Sequence, residues 1–496
     1  MLYKMNLEKQ KLTPIFTALS KYREENIVHF DVPGHKKNKD TFIAKAMGED
    51  IISFDANSTK ELDMLSHPVG VILEAEELLA EAYGADNAFM LVNGSTFGVQ
   101  TMILSACSPK DKIIIPRNVH KSVINAIILS GATPIFIQPE IDYNYGIANG
   151  VKVETVKETI KAHPDAKAIF IINPTYFGVA SDLRKIIKIC HRHNIAVLVD
   201  EAHGAHLPFH PYLPDCAMKL GADMSTASLH KTAGSLTQSS ALFHNEGIID
   251  INKIRGTINL MQTTSASYLL LASMDIARSN LALKGKKIFA ELLKKCAEAK
   301  AKLSKVPGIS VISEDYIDEN DEHGIYDFDD TKFVIKVNEL GLSGFQVYKI
   351  LKEEYNIQLE LAESYVVLAV VGIGDTDETI DKLVCAFEDL SKRFYGKKEA
   401  FKIEIANFFE KPKTIVLPRD AYFSPKSTMF IDDALGQVCG ESIMIYPPGI
   451  PLIIPGELIT EKIISIYKYY MEQNCVVMND DEEPGIIKVL GEEENE

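Results

Sequence analysis

The stretch Ser225-Thr226-Ala227-Ser228-Leu229-His230-Lys231, read with the earlier Val199-Asp200-Glu201-Ala202-His203, decides the fold. In the first, a lysine follows a small, hydroxyl-rich run. In the second, an aspartate closes an apolar run. An amine and a carboxylate placed this way suit pyridoxal phosphate (PLP). The lysine holds the cofactor as a Schiff base, and the carboxylate keeps its ring nitrogen protonated so that the ring accepts electrons. A lysine after a histidine means little alone, because most lysines are solvated surface charges. The reading depends on whether the rest of such a site follows in order.

Working outward, Ala88 to Val92 reads as a short buried strand, and Asn93-Gly94-Ser95-Thr96-Phe97-Gly98 opens an apolar-periodic stretch. A strand, a small polar turn and a helix start make an anion site, where free N–H groups and the positive helix end meet a phosphate. The Ser95 and Thr96 hydroxyls add donors. The same residues serve equally as an ordinary N-cap. Lys112 to Pro116 is a second strand and runs into Arg117-Asn118-Val119-His120-Lys121-Ser122. There His120 either lies flat against a cofactor ring or is a plain turn histidine. Ala168 to Ile172 leads into Asn173-Pro174-Thr175-Tyr176, and Ile195 to Val199 delivers Asp200 at its carboxyl end. Ligands of parallel α/β sheets gather at that end of the strands. The pieces are individually weak, and they agree.

The ordered set Pro33-Gly34-His35-Lys36, Asn93-Gly94-Ser95-Thr96, Arg117 to Ser122, Asp200-Glu201-Ala202-His203-Gly204-Ala205-His206 and Ser228-Leu229-His230-Lys231 resembles the ornithine/lysine/arginine decarboxylases. Tyr446-Pro447-Pro448-Gly449-Ile450-Pro451 and Pro455-Gly456-Glu457 resemble that family's C-terminal domain. The resemblance runs from about Thr13 to near the chain end. It implies an α/β fold of the aspartate-aminotransferase type (PLP fold type I), with a mainly parallel sheet, a smaller α/β domain and a C-terminal α+β domain. It also implies roles. Lys231 carries the PLP, Asp200 pairs with its pyridine nitrogen and His120 stacks on the ring. Ser95, Thr96, Ser228 and His230 surround the phosphate, with Gly94 in the same turn, and Ala202 and His203 flank the ring and its phenolic oxygen. The length resembles the shorter members, which lack the receiver-like domain of the longer ones, so the decameric assembly of those longer relatives does not carry over as an expectation. Among these it resembles the biosynthetic arginine decarboxylases of Gram-positive bacteria. The expected reaction is therefore arginine to agmatine plus CO2, a step of polyamine biosynthesis, with lysine or ornithine as alternative substrates.

Reaction class has its own signal. On a PLP enzyme the bond held perpendicular to the imine plane is the one cleaved, and an aminotransferase fixes the substrate carboxylate with a bidentate arginine. Only four arginines follow Lys231 (Arg255, Arg278, Arg393 and Arg419), and none has a context that marks such a clamp. That favours decarboxylation, with an aminotransferase and a non-catalytic PLP-fold regulator as rivals. Lys231 and His230 are both candidates for the proton donor to Cα. A distal substrate cation needs an acidic partner: Glu457 is one candidate, and Asp55, Glu61 and Asp63 are others. Each has solvated surface charge as its plain reading.

The remaining features bound the answer. Apolar residues make up 46% and charged residues 24% of 496, as in a soluble globular enzyme of two or three domains. No apolar run reaches the roughly 20 residues of a membrane span. Seven scattered cysteines without CxxC spacing fit a reduced cytoplasm. A net charge of −17 speaks against nucleic acid as a partner. Val199 to His203 matches the acidic box of ATP-driven helicases, but no GxxxxGK[ST] loop precedes it. His203, His206 and His210 lack an evident fourth ligand, so no metal is expected. The organisation expected is an arm and large PLP-binding domain over 1–284, a small α/β domain over 285–395 and a C-terminal decarboxylase domain over 396–496. The small domain begins with a long charged helix, Ile288 to Leu303, and continues with strands at Val311-Ile312 and Thr331 to Val337. Helices from Ser343 and Thr376 follow, both good N-caps. The acidic segments Asn479 to Glu483 and Gly491 to Glu496 are expected to be mobile. Leu260 to Ser267 is a polar break that either caps a helix or reaches across a two-fold axis, so a homodimer or higher homo-oligomer is expected.

Overall fold

The apolar run before Asp200 is buried along its whole length and forms the strand Ala196–Asp200. Strands buried on both faces read as continuous apolar runs rather than alternating ones, and the sequence here does so. The computed structural model of the protein describes residues 5–25, 27–317, 323–404, 412–446, 449–480 and 483–491. The chain divides into two compact units, one of residues up to 105 with 196–291, the other of 106–195 with 292 onward.

In the first unit, the strands Asn87–Leu91, Ser240–His244, Met224–Ala227 and Ala196–Asp200 lie side by side in that order. The first two pairings are antiparallel. The last is parallel, with Asp200 opposite Thr226. The helix Gly94–Ala106 packs closely on this sheet at Gly98, where a Cβ would sit 2.0 Å from Thr226 Oγ1. Among the described residues before 60 are the short helices Leu7–Gln10, Pro14–Glu24, Phe42–Met47 and Glu49–Phe54. The second of these is pinned by Asp275, which accepts from Ile15 N at 3.0 Å and pairs with Arg278 at 2.7 Å, both side chains fully buried.

The long helix differs from expectation. It begins at Tyr268 and runs unbroken to Leu303. Gly285, where the small domain is expected to begin, is a contact point inside this helix: a Cβ there would lie 2.8 Å from Phe209 Cβ. With no proline in the run, one glycine costs the helix only about 1 kcal/mol relative to alanine.

The second unit holds three parallel strands in the order Thr133–Ile137, Lys112–Pro116, Ala168–Ile172. It also holds a four-stranded antiparallel sheet of Ser310–Val311, Lys332–Lys336, Val366–Val370 and Leu361–Ala362. The helices Gly344–Tyr355 and Asp377–Phe394 belong to this part, and Ser343 and Thr376 cap them as capping boxes. The C-terminal portion is α+β. Ile443–Tyr446 is the central strand between Ile450–Ile453 and Val476–Met478, Lys426–Phe430 pairs with Ile486–Leu490, and Thr460 caps the helix Glu461–Glu472. The strand Ile486–Leu490 lies between the two acidic segments expected to be mobile. Asn479 and Asp480 are themselves held by hydrogen bonds to Ile486 O and from Asp480 N to Glu441. The rest of that expectation, at residues 481–482 and 492–496, lies outside the described residues. No helix among the described residues is long and apolar enough to cross a membrane.

Candidate functional site

Lys231 sits on the four-residue helix Leu229–Thr232, directly after the buried strand Met224–Ala227. Its Nζ lies 2.9 Å from His203 Nε2. When Lys231 donates, that nitrogen is the acceptor, so the proton of a neutral His203 ring is on Nδ1. His230 Nδ1 lies 2.9 Å from the Ser239 carbonyl. A carbonyl only accepts, which puts a proton on His230 Nδ1 as well.

Asp200 ends its strand as a buried carboxylate whose Oδ1 accepts from Ala202 N at 3.0 Å. Burial pushes its carboxyl above the usual range, while the Ala202 N–H and the charge on Lys231 pull the other way. A buried carboxylate of this kind is stabilised by a cationic N–H donor. Next to it, Glu201 is also buried; its Oε1 accepts from Ala217 N at 2.7 Å, and burial pushes its carboxyl up to about 7.

The turn ahead of Gly94–Ala106 is set by Gly94, whose φ of +70° favours glycine and whose N–H donates to the Gln238 carbonyl at 2.9 Å. Ser95 Oγ and Ser228 Oγ are 2.6 Å apart, which brings the helix start and the lysine segment together. Thr96 is exposed at the same helix start, and Ala202 is partly buried. The donor set of this unit therefore contains a lysine amine, a buried carboxylate and paired hydroxyls at a helix N-terminus. It suits a cofactor with an aldehyde, a protonatable ring nitrogen and one phosphate.

His120 and Glu457 belong to the second unit. His120 caps the helix Lys121–Ser130, its Nδ1 accepting from Ser122 N at 3.2 Å and lying 2.9 Å from Ser122 Oγ. Gly449 packs on its ring, where a Cβ would be 3.4 Å away. Glu457 is 1% exposed, and its Oε2 joins Arg117 at 2.8 Å and Ile454 N at 3.0 Å. Burial raises its carboxyl pKa against the pull of Arg117. Two of the other acidic candidates also have internal partners. Asp55 lies 3.0 Å from His35 Nε2. The carboxylate of Asp63 accepts from the N–H groups of Met64, Val69, Gly70 and Ile72.

Sequence reasoning missed Gln238 and Ser239, whose carbonyls hold Gly94 and His230. The available signal was the small, polar run Gly234 to Ser240 just after the lysine. Each arginine after Lys231 is engaged: Arg255 with Glu76, Arg278 with Asp275, Arg393 with Glu354, and Arg419 with the Ile128 and Leu129 carbonyls.

Two family models match the chain: the Orn/Lys/Arg decarboxylase major domain over residues 13–379 and the C-terminal domain of the same enzymes over 402–485. An arginine decarboxylase of Halalkalibacterium halodurans is 41% identical over 94% of each chain. One of Bacillus subtilis is 42% identical over 92% of this chain and 93% of its own. An inducible lysine decarboxylase of Escherichia coli is 24% identical over 91% of this chain and 76% of its own. Among solved structures, a Francisella novicida lysine decarboxylase superposes with a TM-score of 0.83 at 21% identity, covering 97% of this chain and 82% of that one. A ureidoglycine–glyoxylate aminotransferase from Bacillus subtilis gives 0.54 at 15%, covering 67% and 87%. These likenesses carry the PLP type-I fold.

Proposed function

Given that the chain belongs to the Orn/Lys/Arg decarboxylase family and is a decarboxylase, we propose that it is PLP-dependent and converts arginine to agmatine and CO2, as a step of polyamine biosynthesis. The observation that carries the choice of arginine is the contrast in identity. Arginine decarboxylases match it at 41% and 42% over nearly the whole chain, against 24% for a lysine decarboxylase. Lysine is the second reading.

In this proposal PLP, when bound, supplies the electron sink for the pair left behind by departing CO2. The chain's own residues do the rest. Lys231 Nζ would be the amine that holds the cofactor. His203, 2.9 Å away, orients that amine and can keep a proton beside it. Asp200 holds the ring-nitrogen proton, its burial making an N–H donor there more valuable than in water. Gly94, Ser95, Thr96 and Ser228, with the N–H groups of their helix, hold the phosphate, and His230 flanks it with its Nδ1 proton fixed by Ser239. One proton is consumed at Cα for each CO2 lost, and Lys231 and His230 are the proposed donors. The engagement of all four later arginines supports decarboxylation over amino transfer.

Purified protein with PLP should release CO2 from arginine faster than from lysine or ornithine, with no keto acid required. Preference for lysine would move the substrate assignment. Matched formation of a 2-oxo acid would replace the decarboxylase reading altogether.

We also propose a homodimer in a reducing cytoplasm. The exposed turn Thr263 to Ser265, where Ser265 N donates to Thr263 Oγ1, supports a reach toward a partner. Against that, Ser267 accepts from Leu270 N and serves as a plain cap. Mixing Lys231→Ala chains with chains altered at Thr263 and Thr264 should partly restore activity if the sites are shared, and an active monomer would exclude sharing.

A further inference from the structure

The second unit contains a cavity of about 140 Å³. Most of its wall is apolar, with Phe177, Ile445, Ile450, Leu452, Ile463 and Ile466 contributing. Glu363 lines it too, and among the described residues no cationic side chain pairs with this carboxylate. Its hydrogen-bond partner is Tyr470 Oη, at 3.5 Å. Two further lining atoms, Asn118 Oδ1 and Gln138 Nε2, are buried with no hydrogen-bond partner among the described residues. Arg117 is also in the wall, but its guanidinium is held by Glu457 at 2.8 Å and by the carbonyls of Pro451 and Leu452.

A carboxylate drawn partly out of water without a counterion is costly, and an unmet buried carbonyl oxygen adds to the cost. An apolar cavity with two such acceptors fits a ligand that is cationic at one end and apolar along its length. We propose that this cavity binds a small aliphatic ammonium compound, with its cation on Glu363, Asn118 Oδ1 as a further acceptor and its chain along the isoleucine wall.

Binding should depend on pH with a definite sign. Burial pushes the Glu363 carboxyl up to about 7. The neighbouring Tyr469, Tyr470 and Cys475 are all pushed up by burial and stay neutral at pH 6–8, and the Arg117 guanidinium is 2.8 Å from Glu457 rather than on Glu363. A cation selects the ionised form of Glu363, so affinity should be about tenfold weaker at pH 6 than at pH 8.

The test is calorimetric titration of the full-length protein with N,N-dimethylbutylamine, a tertiary amine that cannot condense with an aldehyde and stays protonated at both pH values. The expected result is one equivalent bound, about tenfold tighter at pH 8. Glu363→Gln should abolish the pH dependence and weaken binding by roughly tenfold or more. Ile466→Phe, which fills the cavity and leaves Glu363 in place, should also weaken binding, and Lys231→Ala should keep it. Binding lost in Lys231→Ala but kept in Glu363→Gln would put the amine at the lysine and overturn the proposal. Absence of binding at both pH values would overturn it too, and would leave the decarboxylase reading untouched, since CO2 release tests that separately.

Discussion

Replacing Gly98 with alanine would place a methyl carbon 2.0 Å from Thr226 Oγ1, 2.7 Å from Thr226 Cβ and 3.3 Å from Leu91 Cδ1. Carbon atoms settle at about 3.5–4.0 Å, so either the helix Gly94–Ala106 retreats by roughly 1 Å or Thr226 turns away. Thr226 is fully buried, and its hydroxyl donates to the Ala241 carbonyl at 2.9 Å. Overpacking of this kind costs about 1–3 kcal/mol. Turning Thr226 adds about 1–3 kcal/mol for the unmet buried group. Alanine returns about 1 kcal/mol in helix propensity, which leaves a net loss of about 1–5 kcal/mol. The same helix carries Ser95, 2.6 Å from Ser228, so its retreat would part the two hydroxyls proposed to hold the phosphate. The urea midpoint of the apoprotein and the rate of PLP loss on dialysis measure the two effects. The matched control is Gly256→Ala, in the helix Ile251–Met261, where an added Cβ meets nothing within 4 Å. It should gain up to about 1 kcal/mol. A Gly98→Ala protein with wild-type stability and PLP retention would refute the close-packing argument.

Asp200→Asn should keep the PLP absorbance and lower turnover by roughly 10²–10³-fold, the usual scale for removing one electrostatic partner of the reacting group. Near-normal turnover in a loaded variant would contradict the role proposed for Asp200. Glu201 gives a stability prediction with a fixed sign. Its folded carboxyl is raised to about 7 from an ordinary 4.5, so the folded state holds the proton more tightly. That contribution is fully present below the ordinary value and is lost as pH rises toward 8, by at most about 3 kcal/mol. In urea titrations at pH 5 and pH 8, Glu201→Gln should remove this part of the slope, and an unchanged slope would show that Glu201 does not titrate in this range.

Much of the fold was legible because apolar runs bounded by small or polar residues have few alternatives. Asp200 falls at a strand end because Ala196 to Val199 has no polar residue to place on a wet face, and Ser343 and Thr376 cap their helices because their hydroxyls match the N–H groups they serve. What escaped was set by contacts distant in sequence. Arg117 and Glu457 are 340 positions apart, so nothing local marks Glu457 as the partner of a buried arginine. Residue 285 is the expected start of the small domain until Phe209 is seen against Gly285, and nothing local to Gly98 shows that Thr226 lies against it. Asp63 looks like any surface acid, yet it organises a turn through backbone N–H groups that sequence does not orient. The pairing of Lys231 with His203 lies between these cases, since both residues stood in recognisable motifs but their 2.9 Å approach needed the fold.

The most direct test of the account is the position of the cofactor. PLP-loaded protein should be yellow, lose that absorbance on borohydride reduction and carry the phosphopyridoxyl mass on one peptide, the one containing Lys231. Label on a different lysine, or a Lys231→Ala protein that still takes up the reducible label at one equivalent, would contradict the assignment of Lys231 and with it the site built around Asp200, Ser95 and His203.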